Sequence, residues 1–174
     1  IGFVNTFFFT KDTWFVPEQY GLTSIFIAVA SLVASLGALA MPAYIYKFYH
    51  YYNDHLPRKQ NDMLSWALVI GVFGFVLVTI AGIAFKPLVI RKFGSNSALF
   101  VDYYYWIFPM GFGLLIFTIL EAYGWNMGKS ILTNLLKEVQ WRLYTSFLIV
   151  LYITGVIPSF DIFIKLYAFS YVAI

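Results

Sequence analysis

The chain has 174 residues, of which 61% are hydrophobic and only 11% are charged, with a formal net charge of +3. A soluble domain carries about a quarter charged residues, so this chain lacks the polar side chains that would cover a water-exposed surface. It contains no cysteine, which excludes disulfides and thiolate metal sites. The basic residues form no cluster interleaved with aromatic rings, so we expect no nucleic-acid partner. The composition favours a protein embedded in lipid.

The first segment, residues 1–9, is apolar apart from Asn5 and Thr6. It begins within hydrophobic sequence without a basic flank, and residues 162–174 end within another apolar run. We therefore expect a fragment of a longer protein, with a partial helix at each end. Asn5 and Thr6 are candidates for lining a transport path, or for hydrogen bonding to a neighbouring helix.

Four stretches between these ends contain no Asp, Glu, Lys or Arg, namely residues 19–46, 63–85, 103–120 and 143–160. A helix needs about 20 apolar residues to cross a hydrocarbon core about 30 Å thick. Within a bilayer the backbone groups must bond inside their own segment, which favours helices. We predict an all-α integral membrane domain over 1–174. Its complete helices are predicted at about 19–46, 63–85, 103–123 and 143–157, with partial helices at 1–9 and 162–174.

Prolines and glycines modify these helices, and a polar stretch between them has a helical pattern of its own. Pro42 is expected to loosen the last turn of the helix at 19–46, and Pro109, Gly111 and Gly113 are expected to bend the fourth helix. Residues 124–142 place apolar side chains at helical spacing among polar ones, so we predict an amphipathic interfacial helix there.

A stripe of small residues follows one face of the helix at 19–46, at alternating intervals of four and three residues. Its members are Ser24, Ala28, Ser31, Ser35 and Ala38, with Pro42 continuing the pattern. Small side chains let a second helix approach closely. The stripe predicts a helix-packing face; a wall that slides during a transport cycle is the alternative.

Charged residues mark few sites. His50 and His55 are five residues apart, so they do not share a helix face, and we predict neither a metal site nor a catalytic group. Glu121 is the acidic residue deepest in a predicted helix, and it either faces a polar cavity or lies at the interface. Lys47 and Arg142, at helix ends, are candidates for contact with the anionic headgroup of a substrate, or else they anchor the helices.

The N-terminal part of the sequence carries a family resemblance. The residues concerned are Phe3–Asn5–Thr6, Pro17–Glu18–Gln19–Tyr20–Gly21, Ser35–Leu36–Gly37 and the aromatic series Tyr44, Tyr46, Phe48 and Tyr49. In order and spacing, residues 3–52 resemble the start of bacterial oligosaccharide flippases of the polysaccharide export family, which are relatives of multidrug and toxin extrusion transporters. The likeness extends loosely over the whole chain.

The resemblance implies a transporter of about twelve to fourteen helices in two pseudo-symmetric bundles, of which this chain supplies most of the first. It implies flipping of an undecaprenyl-pyrophosphate-linked oligosaccharide across the bacterial cytoplasmic membrane for surface polysaccharide such as O-antigen. H⁺ or Na⁺ would be the coupling ion, and polysaccharide assembly enzymes would be partners. No cofactor and no chemical transformation are implied. The loops following the second and fourth helices would be cytoplasmic. These two loops hold six Lys and Arg residues and the other loops hold five, so the charge distribution by itself hardly decides the orientation.

Three other functions remain open, and one of them is a purely structural membrane subunit, which the small-residue stripe permits without favouring it. A multidrug or cation antiporter of the same superfamily would use a buried acidic residue, and the four charge-free runs contain none. A membrane-embedded polymerase or glycosyltransferase usually carries a sizeable extramembrane loop with paired charges, whereas the longest predicted loop has under about twenty residues.

Overall fold

The computed structural model describes residues 15–57, 60–93 and 98–174. These residues form helices and turns, without a strand among them. The α-helices are α1 Pro17–Gly37, α2 Met41–His55, α3 Met63–Ala84, α4 Lys86–Phe93, α5 Ala98–Asp102, α6 Ile107–Asn126, α7 Ser130–Leu135, α8 Trp141–Ile153, α9 Phe160–Ala168 and α10 Ser170–Ala173. A 3₁₀ turn, Tyr104–Trp106, precedes α6, and a π-helical turn, Leu136–Gln140, joins α7 to α8. The helix predicted at 1–9, with Asn5 and Thr6, lies outside the described residues.

Within the described residues, three helices are long and apolar enough to cross a bilayer: Pro17–Gly37, Met63–Ala84 and Tyr104–Asn126. They contain 21, 22 and 23 residues, which corresponds to about 30 to 35 Å at about 1.5 Å per residue. Their length matches the hydrocarbon core of a membrane. The architecture is that of a helical membrane protein.

The surface of α3 shows how the bundle meets its surroundings. Its buried positions are Met63, Ala67, Gly71 and Gly74, a narrow and mostly small stripe. The rest of the helix exposes large apolar side chains, namely Trp66, Val69, Val72, Phe73, Val76, Leu77, Ile80 and Ile83. Small residues inside and large apolar residues outside are typical of a helix that packs closely on its neighbours while facing lipid.

The centre of the bundle is α6, which contacts α1, α2, α3 and α10. Its buried side chains Met110, Leu115 and Ile119 are fully enclosed. One core cluster gathers around the α1, α6, α8 and α9 contacts, and a second joins α2, α3 and α6. Because α6 takes part in both clusters, it fixes the positions of the other helices.

The single helix predicted over 19–46 is wrong, since the structure has two helices there. The chain turns at residues 38–40, where Leu39 and Ala40 adopt positive φ angles of 46° and 59°. Pro42 cannot continue a helix from upstream, because its ring would clash with the carbonyl four residues earlier. It lies instead in the first turn of α2, where its missing N–H removes no bond.

Pro109, Gly111 and Gly113, which are predicted to bend the fourth helix, lie in the first half of α6. Pro109 falls in the first turn of α6, where it is tolerated. A Cβ on Gly111 would lie 3.1 Å from Val33 of α1, and one on Gly113 would lie 2.7 Å from the backbone nitrogen of Val172 in α10. The two glycines therefore allow close helix packing around α6.

The segment predicted as an amphipathic helix followed by a membrane helix at 143–157 is continuous from Ser130 to Ile153, through the π turn. Its apolar part, α8, has 13 residues, about 20 Å, and is too short to span a bilayer by itself. The helix ends near Gly155, whose φ is 77°. The first half of this helix contacts α6, and the polar residues Lys137, Glu138 and Gln140 lie in the π turn that follows it.

Candidate functional site

A half-buried ion pair joins α6 to the segment that follows it. Lys137 Nζ lies 3.1 Å from Glu121 Oε1 and 3.2 Å from Oε2, within hydrogen-bond distance of both oxygens. The Glu121 side chain is 8% exposed, whereas that of Lys137 is 44% exposed. The carboxylate is therefore removed from solvent, and its partner reaches it from a more exposed position.

The local fold explains how residues 16 positions apart meet. After α6 the chain reverses at Gly128, whose φ is 74°, and α7 returns along α6. Trp125 Nε1 donates a hydrogen bond of 2.8 Å to Thr133 Oγ1. A Cβ on Gly124 would lie 2.9 Å from Thr133 Cγ2, so the glycine allows this close approach. The hairpin places the next turn, with Lys137, opposite Glu121.

Lys137 lies within the π-helical turn Leu136–Gln140. A π turn widens the helix by one residue and shifts the direction of its side chains. Such turns are found often at functional sites. Here the widened turn coincides with the residue that neutralises the buried carboxylate.

An open cavity of about 300 Å³ lies beside the pair, and we call it the Glu121 cavity. Its lining combines Glu121 with mostly apolar residues of α6, α7, α10 and their neighbours: Phe112, Gly113, Ile116, Phe117, Leu120, Thr133, Leu136, Tyr171, Val172 and Ile174. Ligand sites in proteins are commonly of this kind, with an apolar wall and a few polar groups. The arrangement suits an amphiphile.

The α2 helix also approaches the pair. The rings of Tyr46 and Trp125 are 6.3 Å apart. Burial raises the pKa of the Tyr46 hydroxyl above its ordinary value, and the negative charge of Glu121 raises it further. The field of the carboxylate thus reaches α2, so three parts of the chain meet around Glu121.

The small-residue stripe lies away from the helix contacts of α1. Ser24, Ala28, Ser31 and Ser35 are exposed, and only Ala38 is buried. These four residues therefore lie at the surface of the described bundle, and the helix-packing face they were predicted to form stays a prediction. The helix packs through a neighbouring face, made of Leu22, Phe26, Ala30, Val33, Ala34 and Gly37. Ser31, Ser35 and Ala38 line a second cavity of about 390 Å³, which Leu114 and Thr118 of α6 also border.

Lys47 and Arg142 lie outside the Glu121 cavity. Lys47 is exposed, with its ammonium group 5.2 Å from the centre of the Phe48 ring. Arg142 Nη2 donates a hydrogen bond of 2.6 Å to Glu138 Oε2, one helical turn earlier. Neither of them lines the cavity that contains Glu121.

The histidines of α2 make local contacts. His55 stacks on Tyr51 at a ring distance of 4.5 Å, and its Nδ1 lies 2.9 Å from the Tyr51 carbonyl oxygen. His50 meets Tyr49 edge to face. Over the described ranges no three His, Cys, Asp or Glu side chains converge into a metal-binding group.

Sequence reasoning missed Lys137 as part of the site. Glu121 was predicted to face either a polar cavity or the interface, and the structure places it beside a largely apolar cavity with a lysine as its polar partner. A signal was present, because Gly124 and Gly128 mark a tight reversal after which a lysine returns towards Glu121. The distance in sequence, however, gives no register between the two helices.

Comparison with family models, with curated proteins and with solved structures finds no significant match to this chain. The comparisons therefore neither support nor contradict the flippase resemblance. That hypothesis rests on the residues quoted for it, and any functional assignment depends on the membrane helices and the geometry around Glu121.

Proposed function

We propose that this chain is part of a flippase of the bacterial cytoplasmic membrane. It moves an undecaprenyl-pyrophosphate-linked oligosaccharide unit between leaflets by alternating access, and it transforms no substrate chemically. The transported unit serves surface polysaccharide synthesis, so assembly enzymes are its expected partners. The resemblance of residues 3–52 supports the substrate class, and the three spanning-length helices support the membrane location.

The observation that carries the proposal is the Glu121 cavity. A lipid-linked diphosphate combines an apolar chain with a strongly anionic group. The cavity has a mostly apolar wall that includes Glu121, and the partly exposed side chain of Lys137 pairs with that carboxylate. Lysine is a frequent phosphate ligand, and its present partner holds it beside the cavity. A substrate diphosphate would compete with Glu121 for this cation.

A second function, cation antiport, is favoured by the burial of Glu121. The four charge-free runs lack an acidic residue, yet Glu121 lies within the candidate span Tyr104–Asn126 and is 7% exposed. Ionisable groups inside spans frequently mark ion pathways. The same carboxylate also suits H⁺ or Na⁺ coupling in a flippase, so the two functions differ in substrate more than in mechanism.

Deletion of the full-length gene, followed by analysis of lipid-linked intermediates, tests the proposal. We expect loss of surface polysaccharide together with accumulation of the completed lipid-linked unit on the cytoplasmic side. Loss of polysaccharide without that accumulation would overturn the flippase assignment. Normal polysaccharide with increased sensitivity to cationic toxicants would replace it with the antiporter.

Complementation with variants tests whether the Glu121 cavity takes part in transport. Lys137→Met is expected to reduce export at least tenfold at equal membrane abundance, because the cation beside the cavity is lost. Lys129→Met is a matched control, since Lys129 is exposed and lies on the same hairpin. Equal export by the two variants would exclude Lys137 from the substrate path.

A further inference from the structure

A small aromatic pocket lies where α2 meets the start of α3, and we call it the Tyr–Trp pocket. It has a volume of about 220 Å³ and is lined by Met41, Tyr44, Tyr52, Met63, Trp66, Ala67 and Ile70. For comparison, an apolar cavity of about 150 Å³ accepts benzene. The pocket therefore has room for a compact organic group with several methyl substituents.

Two walls of the pocket are tyrosine rings from one helix. Tyr44 and Tyr52 have ring centres 6.4 Å apart and planes inclined at 70°. The Tyr44 hydroxyl donates a hydrogen bond of 2.9 Å to the Tyr52 hydroxyl, which fixes the two rings relative to each other. This hydrogen bond is the main cause that raises the pKa of Tyr44 to about 12, so the Tyr44 ring stays neutral at physiological pH.

The third ring, that of Trp66, has the carboxylate of Asp62 at its edge. Asp62 precedes the first turn of α3, where an Asp side chain usually caps the helix, but it makes no capping bond. Its Oδ2 instead accepts a hydrogen bond of 2.9 Å from Trp66 Nε1. The negative charge of Asp62 also contributes to the raised pKa of Tyr44, so its field reaches the tyrosine wall as well.

We propose that the Tyr–Trp pocket binds a quaternary or alkylated ammonium group. The negative faces of aromatic rings attract such cations, and a Trp with two Tyr rings is a favourable set. Asp62 adds a full negative charge at the indole edge of Trp66, and the thioethers of Met41 and Met63 supply soft, polarisable contacts. The cation is either a free organic ammonium compound or the headgroup of a bilayer lipid.

No side chain already occupies this role in the part of the chain that the structure describes. The ammonium groups of Lys47, Lys86 and Lys165 lie over Phe48, Tyr105 and Trp106 respectively. None of the described cations lies over Tyr44, Tyr52 or Trp66. Aromatic residues at a membrane surface often serve as anchors, but an anchor needs neither a pocket nor a carboxylate held against the indole edge. The inference is independent of the proposed transport function.

Calorimetric titration of the full-length protein tests the pocket. The protein is held in a maltoside detergent, which has no ammonium headgroup, and is titrated with tetramethylammonium chloride against sodium chloride at equal ionic strength. We expect saturable binding of tetramethylammonium only. Trp66→Ala and Asp62→Asn should each weaken it about fivefold, as loss of one cation contact predicts, and Trp66→Phe should weaken it less.

Trp66 is 58% exposed, so its substitution should leave the fold intact, which thermal melting checks. Tyr105→Ala is the matched control, because the ring of Tyr105 is also exposed, at 50%, but lies outside the pocket. The Tyr105→Ala variant should bind tetramethylammonium as tightly as the unmodified protein does. Equal affinity of the unmodified, Trp66→Ala and Asp62→Asn proteins, or a heat signal without saturation, would overturn the proposal.

Lipid nanodiscs distinguish the two sources of the ammonium group. The titration is repeated in phosphatidylglycerol, which has no ammonium headgroup, and in phosphatidylcholine. If tetramethylammonium binds more weakly in phosphatidylcholine than in phosphatidylglycerol, and Trp66→Ala abolishes this difference between the lipids, the pocket is assigned to a lipid headgroup. Equal binding in both lipids, with the same sensitivity to Trp66→Ala, assigns it to a free organic cation.

Discussion

Lys137 neutralises Glu121 from a different helix, with its ammonium group 3.1 Å from one carboxylate oxygen and 3.2 Å from the other. The two side chains differ in environment, since the carboxylate is buried and the lysine is only partly covered. Removing either partner should therefore have unequal effects on stability, because the group left behind meets either solvent or an apolar surrounding.

For Lys137→Met we expect a lower free energy of unfolding, by about 1 to 3 kcal/mol, because a buried carboxylate then lacks its partner. Glu121→Gln should cost less, since the freed ammonium group reaches water. The double substitution should be more stable than the sum of the two changes predicts, with a coupling energy of about 1 kcal/mol. Thermal melting in detergent measures all three variants. Strict additivity would show that the pair makes no net contribution.

The α1–α3 contact depends on Gly74. A Cβ there would overlap the carbonyl oxygen of Gly37 and lie 2.7 Å from Leu39 Cγ, so Gly74→Ala should separate the two helices. We expect a melting temperature lower by several degrees, as a loss of about 1 to 3 kcal/mol implies.

Gly21→Ala is the control for Gly74→Ala. Gly21 also lies in a helix, but a Cβ at this position has nothing within 4 Å. Alanine favours a helix over glycine by about 0.5 to 1 kcal/mol, so this variant should melt at the same or a slightly higher temperature. Equal destabilisation by both substitutions would contradict the close contact.

The turn between α1 and α2 contains backbone strain. Ala40 has a φ of 59°, a conformation that costs a non-glycine residue roughly 1 to 2 kcal/mol. Ala40→Gly should therefore raise the free energy of unfolding by about 0.5 to 1 kcal/mol after the entropy of the unfolded glycine is counted. Ala28→Gly, within α1, should lower it by a similar amount. Destabilisation by Ala40→Gly in thermal melting would argue for an uninterrupted helix through residues 38–40.

Single cysteines test the path of α3 across the membrane, because the chain has no cysteine of its own. Asp54 and Asp102 are exposed on the two sides of α3 in the sequence, while Phe73, 61% exposed, lies in its middle. In intact cells an impermeant maleimide should label Asp102→Cys and spare Asp54→Cys and Phe73→Cys. After permeabilisation Asp54→Cys should also react. Labelling of Asp54→Cys in intact cells would reverse the proposed orientation, and labelling of Phe73→Cys would exclude α3 from the bilayer.

The helix boundaries show how much of the fold local sequence can predict. The predicted helix at 63–85 agrees with α3, Met63–Ala84, because its apolar run is uninterrupted and polar sequence flanks it at each end. The run at 19–46 is equally apolar, yet it divides at residues 38–40. Pro42 signalled a local weakening. The position of the turn, however, also depends on Gly37 packing against Phe75 and Gly74 of α3, which no local pattern contains.

Glu121 and the small-residue stripe show the same limit at the site. The sequence singled out Glu121 but gave it no partner, because the pairing with Lys137 depends on how the hairpin after α6 aligns two helices. It also predicted a packing face through Ser24, Ala28, Ser31 and Ser35. In the structure these residues are exposed, since helix packing uses the larger buried face that includes Phe26 and Val33.

Composition and the long apolar runs determined by themselves that the chain is helical and built for lipid, because a backbone in hydrocarbon must satisfy its own hydrogen bonds. That conclusion needs only local information. Tertiary structure alone decided which helices touch, where the helix predicted at 19–46 breaks, and that Glu121 and Lys137 meet beside a cavity. These features arise from the packing of α6 against its neighbours, and packing depends on shape and register between distant segments.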